Sequence, residues 1–119
     1  MRFQLPLVVR ARAESLGEPG RAWLAGLEDA VTELEARWAL RIGASITGGS
    51  ESLVLEAQRE NGEAAVLKLG LPGSADVATE ARILELAGGR GYARLFALDE
   101  AADAMLVERL GPALATRHP

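Results

Sequence analysis

The chain has 119 residues, 49% of them hydrophobic, with a formal net charge of −4 and a pI near 5.0; this is one domain by length, with enough apolar content for a single core. The absence of cysteine excludes disulfides, thiolate zinc sites and iron–sulfur clusters. Only 4% of residues are aromatic, Lys and Arg form no run, and no stretch approaches the roughly 20 apolar residues of a membrane span, so neither nucleic acid nor a membrane is an expected partner.

Residues 1–20 are mixed, interrupted by Gly17, Pro19 and Gly20, with 5–9 as a short extended or helical lead. The apolar part of this segment is too short for a signal peptide, which makes the cytoplasm the default location. From about 20 to 38 the spacing is helical: Trp23, Leu27, Val31, Leu34 and Trp38 recur at steps of three or four. Pro19 suits the first turn. The period then changes to that of strands, at 40–46, 52–58 and 64–69. Gly48-Gly49 separates the first two, and Asn61-Gly62 is a hairpin turn in which both residues tolerate positive φ. Pro72-Gly73 closes the third strand. A helix capped by Ser74 or Asp76 runs to about Ala87 and stops at Gly88-Gly89 and Gly91. Two further strands, 94–98 and 104–108, flank the acidic turn 99–103, and Gly111-Pro112 forms a joint. The order predicts an α+β fold, a five-stranded antiparallel sheet with its helices on one face.

Two charges stand where a core is expected. Lys68 ends the apolar run Ala64-Ala65-Val66-Leu67, sharing a strand face with Val66 while Leu67 and Leu69 point the other way. At 100° per residue Glu80 falls about 60° from Val77, between Leu84 and Ala87, on the apolar side of the next helix. A lone strand lysine normally snorkels and a lone helix carboxylate normally reaches water. Charges placed this far inward are costly unless they meet, so the two are expected to pair.

The loop Thr47-Gly48-Gly49-Ser50-Glu51-Ser52 lies between two strands. Its glycines let backbone N–H groups approach phosphates and its hydroxyls add donors. It is not a Walker loop, which needs a strand-to-helix context and a Gly-Lys-Ser/Thr ending. Glu51 is discordant, since a carboxylate repels a triphosphate; either it points outward or the loop binds less well than the pattern suggests. Glu108-Arg109-Leu110-Gly111-Pro112 is where the chain leaves the sheet; by spacing alone it is an ordinary strand exit and turn.

In order and spacing, the helix ending at Trp38, Gly48-Gly49-Ser50-Glu51-Ser52-Leu53-Val54-Leu55, Ala65-Val66-Leu67-Lys68, Glu80-Ala81 and Met105-Leu106-Val107-Glu108-Arg109-Leu110-Gly111 resemble the N-terminal lobe of the aminoglycoside phosphotransferases. The likeness is to the streptomycin 6-kinase and hydroxyurea-resistance kinase branch, over roughly residues 20 to 115. It implies a protein-kinase-like N-terminal lobe in which 76–87 is the αC-type helix and 20–38 an N-terminal amphipathic helix. Gly48, Gly49, Ser50 and Ser52 would cover the phosphates of ATP, and Lys68, held by Glu80, would contact the α- and β-phosphates. Val54 and Val66 would roof the adenine, and the backbone of Glu108 and Leu110 would hydrogen-bond its edge. Catalysis in such enzymes is largely positioning and charge neutralisation, with metal bridging the phosphates.

The resemblance also implies what this stretch does not contain. The family's catalytic aspartate and its metal-binding residues belong to a second lobe, so Mg2+ would be held there and no catalytic residue is assigned here. His118, the only histidine, precedes the final Pro119, and the four aspartates (29, 76, 99 and 103) fall in helix or turn positions. The chain is therefore expected to divide into a helical extension (1–40), a nucleotide-binding lobe (41–110) and the start of a link (111–119). It would be inactive alone and, with its partner lobe missing, prone to form a homodimer. The intact enzyme would phosphorylate an alcohol group on a small molecule. The competing expectation is a stand-alone, non-enzymatic binding or assembly module that keeps the sheet and has lost the chemistry.

Overall fold

The computed structural model describes residues 3–46, 51–90 and 93–109. Helices α1 (Leu7–Ser15) and α2 (Glu18–Trp38) lead into strands β1 (Leu40–Ser45), β2 (Ser52–Arg59) and β3 (Ala64–Gly70), then helix α3 (Asp76–Ala87) and strands β4 (Leu95–Asp99) and β5 (Ala104–Glu108). The five strands form one sheet in the order β1-β2-β3-β5-β4, antiparallel at every pairing. This is the α+β lobe anticipated above.

The helices, however, lie on opposite faces of the sheet and not on one. Leu55 pairs with Leu67 and Leu67 with Leu106; that face packs against Leu27, Val31 and Leu34 of α2. The alternate residues, Val66, Met105 and Val107, pack against Val77, Ala81 and Leu84 of α3. The physical reason lies in β5. Ala104, Met105, Leu106 and Val107 are all buried, and a strand that is apolar at consecutive positions needs cover on both sides.

The lead segment is a helix. Val9 and Ala13 of α1 pack against Leu71, just beyond β3. Gly17 then turns the chain with φ 74°, and α2 starts so close to α1 that a Cβ on Gly20 would collide with the backbone carbonyl of Ala13. The extension thus shares its packing with the sheet: α2 covers one face and α1 braces the end of β3. At the β2–β3 turn only Gly62 uses positive φ; Asn61 acts instead through its side-chain oxygen, which accepts the Glu63 N–H at 3.0 Å. The N-cap of α3 is Ala75, with no side-chain cap, while Ser74 Oγ accepts the Asp76 N–H at 3.1 Å. Gly88, at φ 58°, ends α3 by donating to Leu84 O.

Two substitutions separate steric from intrinsic effects in α2. Ala is favoured over Gly in a helix by about 1 kcal/mol. Gly26 is exposed and a Cβ there meets nothing within 4 Å, so Gly26→Ala is expected to stabilise the protein by about 0.5–1 kcal/mol in denaturant unfolding. Gly20→Ala is expected to reverse the sign and cost on the order of 1–3 kcal/mol, because one helix must move off the other.

Two carboxylates of the β4–β5 turn, Asp99 and Asp103, are shifted in opposite directions. Asp99 is held below the usual range, chiefly by the Ala102 backbone N–H and further by Arg37 of α2. Asp103 is pushed up by burial. The contribution of Asp99 is present above its unfolded value of about 4 and is lost as pH falls through its lower folded value. Asp103 has the reverse sign: its contribution is full below that unfolded value and is lost as pH rises through the raised folded one. Asp103 sits at φ 52°, a conformation asparagine accepts. Thermal melts of Asp103→Asn are therefore expected to show a higher midpoint at pH 7 and no gain at pH 3. Asp99→Asn should show a deficit at pH 7 that shrinks on acidification.

Candidate functional site

The site is built on the sheet face that α3 only partly covers. In-register pairing aligns Val54 with Lys68 and Lys68 with Met105, and in the next row Glu56 with Val66 and Val66 with Val107. Directly paired residues share a face, so all of these project to the same side. Met105 and Val107 are buried beneath α3, whereas Val54, Glu56, Val66 and Lys68 are half-buried.

Lys68 and Glu80 meet as expected. The Lys68 ammonium donates to both carboxylate oxygens of Glu80, at 2.7 and 2.8 Å. The side chains are 21% and 41% exposed, and a pair this open adds at most about 1 kcal/mol to stability. Its consequence is directional. An ammonium has three N–H donors; Glu80 engages it twice, which leaves a donor for a further anionic oxygen. α3 sets this geometry, since Val77, Ala81 and Leu84 seat the helix on Met105 and Val107 and so carry Glu80 over β3.

A second ion pair lies on the same face. Arg109 Nη1 donates to Glu56 Oε2 at 2.6 Å, and the Ala44 N–H reaches Glu56 Oε1 at 3.3 Å. Arg109 also holds the Glu56 carboxyl below the usual range. The backbone N–H of Arg109 bonds Ala64 O at 3.2 Å, so the side chain starts at the β5 exit and crosses β3 to reach β2. The apolar strip of Val54 and Val66 is thus flanked by two charge pairs, one from strand to helix (Lys68–Glu80) and one across strands (Glu56–Arg109). Sequence reasoning missed Glu56 and Arg109. The available signal was alternation: Glu56 falls two residues after Val54, and Arg109 two after Val107.

The remaining expected site residues are distributed around this strip. Ser52 opens β2 and pairs with Gly70. Glu51 does point away from the face: its carboxylate accepts from Arg12 Nε of α1 at 2.8 Å, and its carbonyl accepts the Leu71 N–H. Glu108 ends β5, its N–H donating to Arg94 O at 2.8 Å and its carboxylate accepting the Arg94 N–H at 3.2 Å. That N–H is engaged in the sheet, so a ligand contact from Glu108 would fall to its carbonyl. Gly48, Gly49, Ser50 and Leu110 lie outside the described residues. Among the described residues, no cluster of three or more His, Cys, Asp or Glu side chains is arranged to hold a metal ion, and no helix is long and apolar enough to cross a membrane. The arrangement suits a flat apolar body lying on Val54 and Val66 with an anionic group at Lys68.

The family model for aminoglycoside/hydroxyurea antibiotic resistance kinases matches residues 37–118. Among curated proteins, the streptomycin 6-kinase of Streptomyces griseus is 41% identical over 99 residues, covering 82% of this chain and 32% of its own length. The streptomycin 6-kinase of Streptomyces glaucescens is 42% identical over 100 residues, with the same two coverages. The hydroxyurea phosphotransferase of Kitasatospora aureofaciens is 37% identical over 94 residues, 79% of this chain and 27% of its own. The chain therefore spans about a third of the length of these relatives. Both the matched span and the identities place it: the chain belongs to the aminoglycoside/hydroxyurea antibiotic resistance kinase family.

Proposed function

We propose that this chain is the ATP-binding lobe of a phosphotransferase that moves the γ-phosphate of ATP to a hydroxyl group of a small molecule, of which an aminoglycoside such as streptomycin is the first to try. The observation that carries the reading is the two-oxygen grip of Glu80 on Lys68. It holds a cation beside the apolar strip of Val54 and Val66, where a base can lie with its phosphates directed to the ammonium. Kinship with streptomycin and hydroxyurea kinases supports the same assignment.

In this reading Lys68 holds the α- and β-phosphates and Glu80 positions Lys68. Ser52, with Gly48, Gly49 and Ser50, covers the phosphates. Val54 and Val66 roof the adenine, Val107 closes the back of its pocket, and the carbonyl of Glu108 and the backbone of Leu110 meet its edge. Bound Mg2+ would neutralise phosphate charge, on ligands supplied by a second lobe that follows residue 110. The lobe contributes binding and orientation, and these 119 residues alone carry no phosphotransferase activity.

The test is a coupled ADP-release assay on the full-length protein across aminoglycoside acceptors. Lys68→Ala is expected to lower turnover by about 10²-fold or more, the scale seen when a charge-stabilising donor is removed from an active site, and to weaken ATP binding. Glu80→Gln should lower it less, because Lys68 remains. Wild-type rate and ATP affinity in Lys68→Ala would discard the assignment. Tight ATP binding by residues 1–119 alone would put the site somewhere other than this half-cleft.

A further inference from the structure

The Glu56–Arg109 pair has no part in the roles assigned so far, yet it closes the strip at the end away from Lys68. Glu56 pairs with Val66, one step of about 7 Å along β3 from Lys68, so the guanidinium bonded to Glu56 lies beside the strip and not at the ammonium. We propose that Glu56 and Arg109 form the base-end wall of the nucleotide site, with the purine packing beside the Arg109 guanidinium and Glu56 holding that guanidinium in place. The inference rests on the nucleotide reading above and adds a specificity and positioning element to it.

Three observations support it. First, the pair is anchored on both sides. Glu56 is engaged by Arg109 at one oxygen and by the Ala44 N–H at the other, and Arg109 is tied to β3 through its own backbone N–H. A long side chain that is already ordered loses little freedom when a ligand packs on it.

Second, the chemistry suits a base and not a phosphate. A guanidinium is planar, weakly hydrated and stacks on aromatic faces. With its charge matched by Glu56 it attracts a triphosphate poorly, which leaves that role to Lys68. Third, the pair bridges elements that a nucleotide must find in fixed relation. β2 carries Val54, and the β5 exit carries Glu108. A link from Glu56 to Arg109, with Ala44 of β1 joined through the same carboxylate, keeps the β1–β2 ribbon at a set distance from the strand exit.

Loss of Arg109 removes the packing surface and also frees a carboxylate on a face that must accept an anion. Loss of the Glu56 charge loosens the arginine but also unmasks its positive charge, which offsets part of the loss for an anionic ligand. The two substitutions should therefore differ in size and be less than additive together. The experiment measures ATP KM and kcat in the full-length protein, and ATP affinity by calorimetry, for Arg109→Gln, Glu56→Gln, the double variant and Arg109→Lys. Thermal melts verify folding, and both side chains are about one-third exposed, so Glu56→Gln is a mild change.

Arg109→Gln is expected to raise ATP KM and Kd by about 3- to 20-fold, between the values for an exposed and a fully desolvated cation–π contact, with kcat within about twofold. Glu56→Gln should give about 2- to 5-fold on the same scale. Arg109→Lys should rescue only in part, because an ammonium carries charge without a plane. Unchanged ATP KM and Kd in both Gln variants would overturn the proposal. So would full rescue by lysine, or a fall in kcat with KM unmoved. Lys68→Ala measured alongside separates the two levels. If it keeps wild-type turnover, the nucleotide reading fails; if it is dead while Arg109→Gln binds ATP normally, only the wall fails.

Discussion

The ion pair between β3 and α3 is the constraint on which this lobe turns. Lys68 stands on a sheet face where its neighbours across the strands are Val54 and Met105, surroundings that penalise an unmatched charge. Glu80 supplies the match from a helix whose position is decided elsewhere, by Val77, Ala81 and Leu84 on Met105 and Val107. Apolar packing thus determines where the carboxylate is, and the carboxylate determines where the ammonium points. Because the pair is open to solvent, its contribution to folding is small, and its effect is to hold one cation in one direction.

Charge management around the same face follows a consistent pattern. The protein is acidic overall, with a net charge of −4, and besides Glu80 two further glutamates, Glu51 and Glu56, lie beside or on the face that carries Lys68. Each has its own arginine: Glu51 is drawn away by Arg12 of α1, and Glu56 is matched by Arg109. Both arginines come from parts of the chain distant in sequence. The first gives α1 a purpose beyond packing, since it connects the start of β2 to a helix that also braces Leu71 behind β3. An acidic lobe can serve an anionic ligand when the carboxylates nearest the site are engaged by neighbours.

The two faces of the sheet divide the labour. Leu27, Val31 and Leu34 of α2 seal one face with the larger apolar cluster. The other has the smaller cluster under α3 and leaves Val54 and Val66 half-buried. That asymmetry gives a rigid back and an accessible front.

The linear chain determined a good deal by itself. Period-2 and period-3.6 patterning located every strand and both long helices to within a residue or two, because their burial is one-sided and repeats. Glycines marked the ends, as at Gly88. The Lys68–Glu80 pairing was legible because two charges stood at apolar positions on consecutive elements, a local anomaly with a local remedy. Helix α1 was only half visible, since it buries just Val9 and Ala13 and so leaves too short a pattern. Only the tertiary structure decided which face each helix takes, and it alone brought Arg12 to Glu51 and Arg109 to Glu56. The reason is common to all of these. Strand order and crossover depend on contacts between residues far apart in sequence, and an exposed charge has no periodicity that names its partner until the sheet has brought the two together.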